Sequence, residues 1–388
     1  MLGLIILPFY LLFNLFLNKI IMKWLNLFNN LFNNLKNKKR IKYILLVIQM
    51  FLTLSLYIAI LLPNGNLKRL LTIIENYYLG IMIYTGIILV ILLLLKLILK
   101  KNDISNNTYK VLGFISILLL SFITIYGTIN SDIIHTTRYE VNINKKCNIK
   151  HLNIVMIADL HLGYNKGIKM VKNMVKKINQ EKPDIVIITG DIFDNSYDSL
   201  DKPKEMIKEL KKIKTKYGVY SVYGNHDVKE KVLLGFTFKD KNKKNSDSRM
   251  DKFLSDANIK LLKDDYIMLD NSIYIYGRPD LKKSSNRKNA KEVTDKLDKN
   301  KPIIVMDHQP KEMKELDKAG VDLDLSGHTH DGQIFPLNFL IKLAFDNSYG
   351  IKKCGKMTSI VTSGVGLYGP NMRVLTKAEI TSIKVNFK

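Results

Sequence analysis

The sequence predicts an α/β domain over residues 151–388, an all-α apolar region over 1–134, and a tether at 135–150 between them that runs through a possible strand, Tyr139–Asn142. Three observations carry this. About the first 140 residues are dominated by Leu, Ile, Phe and Tyr, whereas the rest has the composition of a soluble globular domain. From Asn153 onward, short β-branched runs alternate with helical segments, the βαβ pattern of a mainly parallel, helix-covered sheet. Five clusters of Asp, Asn and His each follow a strand-like run. In open α/β sheets that is where ligands bind.

The apolar region holds four runs, about 2–22, 43–62, 79–99 and 111–129. Each is about 20 residues, enough to cross roughly 30 Å of hydrocarbon as a helix. One such run is as consistent with a buried core helix. Four in a row, separated by short polar loops, predict four transmembrane helices. The first run lacks a basic start and a small-residue cleavage site, so a cleaved signal peptide is not expected. Loops one and three carry most of the Lys and Arg (Lys23, Lys36, Lys38, Lys39, Arg40, Lys42; Lys100, Lys101, Lys110). The positive-inside rule makes those loops cytoplasmic. A multi-pass protein of the cell membrane with an extracytoplasmic domain is the expectation. A first helix lying in the interface would instead place the domain in the cytoplasm. Trp24, Phe28 and Phe32 share one helical face and suit an interfacial stretch.

In the domain the expected order is strand 153–157, helix about 166–180, strand 185–189, helix about 202–214 and strand 218–223. A Lys- and Asn-rich surface loop follows over 229–250. Next come a hairpin, 266–269 and 273–276, a helix near 289–298 and a strand 302–306. A helix 311–318, a strand 322–325 and strand-like ends at 360–362 and 380–387 complete the domain. A second sheet packed on the first is the economical arrangement. Gln333–Leu337 is expected to pack under that sheet, with an apolar rim beside His330 as the alternative.

Net charge is +25, shared as +13 over 1–150 and +12 over 151–388. In the apolar region the basic residues sit in short loops, where anionic headgroups attract them. In the domain they lie on Lys-rich helices, as a solvated surface does. No aromatic-and-basic platform is present, so nucleic acid is not an expected partner. The two cysteines, Cys147 and Cys354, make no disulfide framework and are taken as free thiols.

The central cluster is Gly190-Asp191-Ile192-Phe193-Asp194, directly after Ile185–Ile188. Asp159-Leu160-His161 precedes it, and Gly224-Asn225-His226-Asp227, His308 and Gly327-His328-Thr329-His330 follow. Of seven histidines only His135 and His151 lie outside the clusters. A lone histidine is more often structural, and these two are left so. Carboxylate, amide and imidazole without thiolate suit hard or borderline divalent ions, and argue against a Cys-type zinc site. Asp159, His161, Asp191, Asn225, His308, His328 and His330 are too many for one tetrahedral ion. They suit two ions about 3.5–4 Å apart that share a carboxylate, for which Asp191 is the candidate.

Taken in order, Asp-x-His, Gly-Asp-x-x-Asp, Gly-Asn-His-Asp, a lone His and Gly-His-x-His resemble the calcineurin-like metallophosphoesterase superfamily, and the four apolar runs resemble its bacterial membrane-anchored subgroup. So does the closing segment, Gly364 to Arg373. The resemblance covers 151–388 and implies a four-layer αββα sandwich with two divalent ions, of Mn, Fe, Zn or Mg. It implies Asp159, His161, Asp191 and His330 around the first ion, and Asp191, Asn225, His308 and His328 around the second. His226 is then an acid or charge stabiliser over the phosphate, oriented by Asp227, with Asp194 acting behind the ligands. The implied reaction is in-line attack of a metal-bound hydroxide on a phosphomonoester, phosphodiester or pyrophosphate bond. Anchoring beside lipid favours a lipid or cell-envelope phosphoester. Lys166 and Arg373 are weighed as phosphate contacts, with surface charge as the commoner role. The competing reading is a non-catalytic membrane scaffold that keeps the fold.

Overall fold

Ile185–Thr189 is buried at all five positions, as a strand covered on both faces must be. It occupies the middle of a six-stranded sheet in a computed structural model that describes residues 2–27, 38–99, 105–194, 196–227, 231–233, 236–238, 247–280, 284 and 286–388. The chain forms two compact units, one of residues 1–128 with 231–238 and 369–372, the other of the remainder.

The first unit contains α1 (Leu2–Asn26), α2 (Lys38–Leu61), α3 (Asn66–Ile98) and most of α4 (Asn106–Asp132). Helix thus covers all four apolar runs. Two of the helices, α3 and α4, are long and apolar enough to cross a membrane. Only 17% and 6% of their most apolar stretches are buried, which is not the burial of a core helix. Four such spans were expected; two meet the criterion among the described residues. The third run also begins earlier than expected. Asn66–Tyr78 has helical periodicity but polar residues, so hydropathy alone starts the segment at 79. Asn14 of α1 accepts hydrogen bonds from Thr53 Oγ1 at 2.9 Å and Tyr78 Oη at 2.5 Å, which satisfies its buried carbonyl. Phe28 and Phe32 lie outside the described residues.

The second unit is built on two mixed six-stranded sheets. The first is ordered β1 (Ile134–Ile143), β14 (Ala378–Phe387), β2 (His151–Ile157), β3 (Ile185–Thr189), β4 (Val219–Val222), β7 (Ile259–Leu261). The second is ordered β12 (Gly350–Cys354), β13 (Met357–Val361), β11 (Leu323–Ser326), β10 (Ile303–Met306), β9 (Ile273–Gly277), β8 (Asp265–Leu269). A separate hairpin joins β5 (Lys231–Leu233) to β6 (Phe236–Phe238).

Period-two alternation assigns the strand side chains to layers. Val155, Ile157, Val186 and Ile188 face α5 (Ile168–Gln180), α6 (Pro203–Leu210) and α7 (Ser248–Asp256). Ile154, Met156, Ile185 and Ile187 point the other way, into a core shared with Ile275, Ile304, Met306, Leu323 and Leu325 of the second sheet. The outer face of that sheet, with Tyr274, Ile303 and Val305, packs on α8 (Ala290–Thr294) and α9 (Met313–Ala319). Three apolar clusters therefore separate helix, sheet, sheet and helix.

The possible strand at 139–142 is longer than expected and takes up most of the tether. Residues 134–143 are β1, an edge strand parallel to β14 over ten residue pairs. A single residue, Ile133, separates α4 from β1. The expected loop over 229–250 contains β5, β6 and the start of α7, whose Asp247 side chain caps the helix by accepting from Arg249 N. The segment after His330 divides. Gln333 and Ile334 are buried, whereas Phe335 and Leu337 are exposed and lead into α10 (Leu337–Ala344).

Candidate metal centre

All five clusters lie at the carboxyl ends of parallel strands, after β2, β3 and β4 in one sheet and β10 and β11 in the other. Backbone bonds tie the loops together. Asp159 N donates to Gly190 O, His161 N to Asp191 O, and Gly327 N to His308 O, each at 3.0 Å. Gly190 holds φ +87°, and a Cβ there would lie 2.7 Å from both His308 Nδ1 and Gly224 N. At Gly224 a Cβ would lie 2.2 Å from Asp191 Oδ1. Only glycine lets these loops approach so closely.

The approach brings six of the seven expected ligands into two groups. Asp159, His161 and His330 form one, and Asp191, His308 and His328 the other, with ligating atoms within 4.8 Å of one another in each. In the first, His161 Nε2 lies 3.1 Å from His330 Nε2, and His330 Nε2 lies 3.9 Å from Asp159 Oδ1. In the second, His308 Nε2 lies 3.2 Å from both Asp191 Oδ2 and His328 Nδ1. Asn225, the seventh, adds its Oδ1 at 3.0 Å from the same nitrogen. Asp191 Oδ2 is also 3.8 Å from His161 Nε2, so this carboxylate faces both groups.

These residues fit a pair of divalent ions. Imidazole nitrogens and carboxylate oxygens converge there with almost no exposure to water. His161 Nδ1 is buried without a hydrogen-bond partner. His308 Nδ1 lies 2.8 Å from the Thr189 carbonyl, which accepts its proton and leaves the Nε2 lone pair directed into the site. Asp159 is held in place by accepting from His328 N at 2.9 Å. Without a cation, burial pushes the Asp159 carboxyl up to about 7, with the nearby Asp191 charge adding to the rise. Burial opposes the Asp191 anion too, but His308 and His226 outweigh it and hold that carboxyl well below its usual range. Burial lowers His161 to about 3, against the opposing pull of Asp191. At His308 burial is in turn outweighed by Asp191, which raises that imidazole well above its usual range, whereas burial keeps His161 and His330 neutral. The protein thus supplies one firmly ionised carboxylate among imidazoles, a donor set that a dication completes in place of the His308 proton.

His226 stands at the edge of this centre. Its backbone N donates to Asp191 Oδ1 at 2.7 Å, and its ring lies 5.3 Å from that of His161. Asp227 accepts from Phe193 N at 2.8 Å and Gly224 N at 2.7 Å, which fastens the β3 and β4 loops to each other. It therefore positions His226 through the backbone. Asp194 N donates to Leu162 O at 3.1 Å, beside the bridge of Leu162 to Phe193. His151 lies away from the centre, its ring at 2.7 Å from Asn386 Oδ1.

Sequence reasoning missed two contributors, Tyr368 and Phe345, and weighed Arg373 for other roles. Tyr368 lies 4.3 Å from the His226 ring and 5.2 Å from His161. Phe345 meets His328 edge-on at 5.7 Å. Arg373 is fully buried, not a surface charge. It donates to the carbonyls of His330, Ser363, Gly364 and Gly366, which locks the closing segment behind the His330 loop. The only signal for Tyr368 and Arg373 was their place in the closing segment, and Phe345 had none. Lys166 pairs with Asp132 at 2.8 Å.

A two-sheet α/β fold whose strand ends gather these donors defines a metallophosphoesterase, an enzyme that hydrolyses phosphoric esters. The chain belongs to the calcineurin-like phosphoesterase family, whose pattern matches residues 152–332. A metallophosphoesterase of Campylobacter jejuni is 31% identical over 300 residues, covering 76% of this chain and 75% of that one. One from Aquifex aeolicus is 29% identical over 287 residues, 71% of this chain and 99% of its own length. A transmembrane protein with a metallophosphoesterase domain from Danio rerio is 27% identical over 278 residues, 69% of this chain and 61% of its own.

Proposed function

We propose that this chain is a membrane-anchored phosphoesterase with two divalent ions, acting on a lipid or cell-envelope phosphoester outside the cytoplasm. The observation that carries the reading is Asp191, buried between two ligand groups and within 4 Å of an imidazole nitrogen in each. One ion would be held by Asp159, His161, Asp191 and His330, and the other by Asp191, Asn225, His308 and His328. Such a pair supplies an activated water and neutralises charge on the phosphoryl oxygens.

The chain's own residues do the rest. His226 protonates the leaving oxygen or neutralises its charge through the imidazole. Tyr368 packs on that ring and restricts its rotation. Asp227 and the bond from His226 N to Asp191 set the depth of the ring relative to the ligands. Asp194 supports the β3 loop from behind.

Membrane anchorage rests on α3 and α4, on the four apolar runs and on the likeness to the Danio rerio transmembrane protein. The basic first and third loops support a cytoplasmic placement for themselves and an outside placement for the domain. With only Ile133 between α4 and β1, a domain carried by a spanning helix works within reach of headgroups.

The test is turnover by the purified full chain with added Mn²⁺, set beside Asp191→Asn. Substrates are one phosphomonoester, one phosphodiester and one nucleotide-diphospho-lipid. Hydrolysis of one class, lost in the variant, supports the reading. Turnover that survives in Asp191→Asn rejects the shared-carboxylate site.

A further inference from the structure

α10 buries none of its eight residues. Leu337, Phe339, Leu340 and Leu343 are 37%, 55%, 62% and 86% exposed. At about 100° per residue they fall within one arc of about 160°, an apolar face on one side of the helix. Phe335 extends it through an edge-to-face contact with Phe339 at 5.7 Å. Lys342 stands at the flank of this face, its Nζ 5.8 Å from the Phe339 ring.

Both ends of the helix are tied to the metal centre. Its N-terminus follows Gln333, which is fixed by donating to Tyr368 O at 3.1 Å and accepting from Tyr368 N at 2.9 Å. Its C-terminus ends in Phe345, packed against His328. The exposed apolar face of α10 therefore lies beside the ligand loop, while Gln333 and Phe345, outside that face, make the contacts to it.

Charge selects the occupant. Residues 336–357 hold Lys342, Lys352, Lys353 and Lys356 against Asp346 alone. A two-fold contact between copies would set this basic, apolar surface against itself. An anionic bilayer complements both properties, taking the apolar arc between acyl chains and the lysines at phosphate level. A bilayer is also what the apolar faces of α3 and α4 require.

We propose that Phe335 and α10 form a membrane-docking element that seats in an anionic lipid surface and presents bilayer phosphoesters to the metal centre. The proposal rests on the phosphoesterase reading for its substrate, and on geometry for its docking.

The experiment uses the full chain in nanodiscs of phosphatidylethanolamine and phosphatidylglycerol. In a Cys147→Ser, Cys354→Ser background, Leu340→Cys carries an NBD fluorophore, and Lys208→Cys on α6 serves as the exposed control. Docking predicts blue-shifted NBD emission at 340 and several-fold stronger quenching by doxyl-labelled lipid than at 208. Equal quenching at the two positions overturns the proposal. Blue-shifted but unquenched emission also overturns it and assigns the face to a second copy. In a parallel assay, Leu340→Asp with Leu343→Asp lowers turnover of a bilayer-embedded phosphoester by about ten-fold or more. Turnover of a soluble nitrophenyl phosphodiester stays within about two-fold of wild type, because the ligand groups are untouched. An equal fall on both substrates overturns the docking role. Hydrolysis of neither substrate by wild type, with quenching at 340 intact, rejects the phosphoesterase reading and leaves docking supported.

Discussion

Asp159, His161, Asp191, His328 and His330 all hold positive φ, between 42° and 72°. Such backbone costs about 1–3 kcal/mol per residue and persists only where surrounding structure compels it. Here it turns carboxylates and imidazoles inward from the strand ends. Replacing Asp191 by Asn keeps the shape but removes the anion that both groups face. Metal content by mass spectrometry is expected to fall from about two ions per chain to below one, with activity down by more than about 100-fold. Replacing His226 by Ala leaves the ligands in place. It is expected to lower kcat by about 10²- to 10⁴-fold on an alkyl phosphoester, and less where the leaving group is a good one. Equal rates for His226→Ala and wild type on the alkyl ester would sink that role. Asp324, away from the ligands, is pushed up to about 7 by burial and by the Asp307 charge. Its folded state holds a proton that the unfolded chain releases near pH 4. The stability this contributes is full below that pH and is lost as pH rises through about 7. Between pH 5 and 8, Asp324→Asn is expected to lose less in Tm than wild type, by about 2 °C or more, read by thermal unfolding in detergent.

At the scale of elements, β3 carries both the fold and the site. Ile187 is fully buried in the inter-sheet core, and the loop after β3 supplies Asp191. Ile187→Ala is expected to cost about 2–5 kcal/mol through lost contacts and a cavity. That lowers Tm by about 4 °C or more while the metal content of the folded fraction holds. Gly224→Ala should strike both, because its Cβ would lie 2.2 Å from Asp191 Oδ1 and 2.5 Å from Asp191 N. Metal is then lost and Tm falls together, in contrast to Ile187→Ala. The strands that were legible in the sequence are those with unbroken β-branched runs, such as β2, β3, β9 and β10. β12 was not, because its Lys352 and Lys353 lie exposed on a strand paired along one side only. β1 showed only in part, as the possible strand at 139–142, for another reason. Its partner β14 lies more than 200 residues away, and local periodicity carries no trace of pairing at that distance. α7 and α10 hid because one follows a Lys-rich stretch and the other leaves its apolar face uncovered. The residues that gather in the two groups were legible as clusters, since each sits directly behind a strand whose run the sequence displays. Tyr368 and Arg373 act through packing and backbone bonds, which no spacing encodes.

Across the whole molecule, the family assignment rests on the match over 152–332 and on the Campylobacter jejuni relative, which extends similarity to about three quarters of either chain. Two mixed sheets around one apolar core put the donors of five loops at a common edge, which explains why a chain of such diverse loops converges on one centre. The proposed lipid-linked role rests on the apolar helices α3 and α4. The most direct test is the metal content of the purified full chain after exposure to Mn²⁺ and removal of the excess. The account predicts about two ions per chain for wild type and fewer than one for Asp191→Asn, with both proteins folded. A folded wild-type chain that retains no ion would contradict it and leave the competing reading, a membrane scaffold on a phosphoesterase fold.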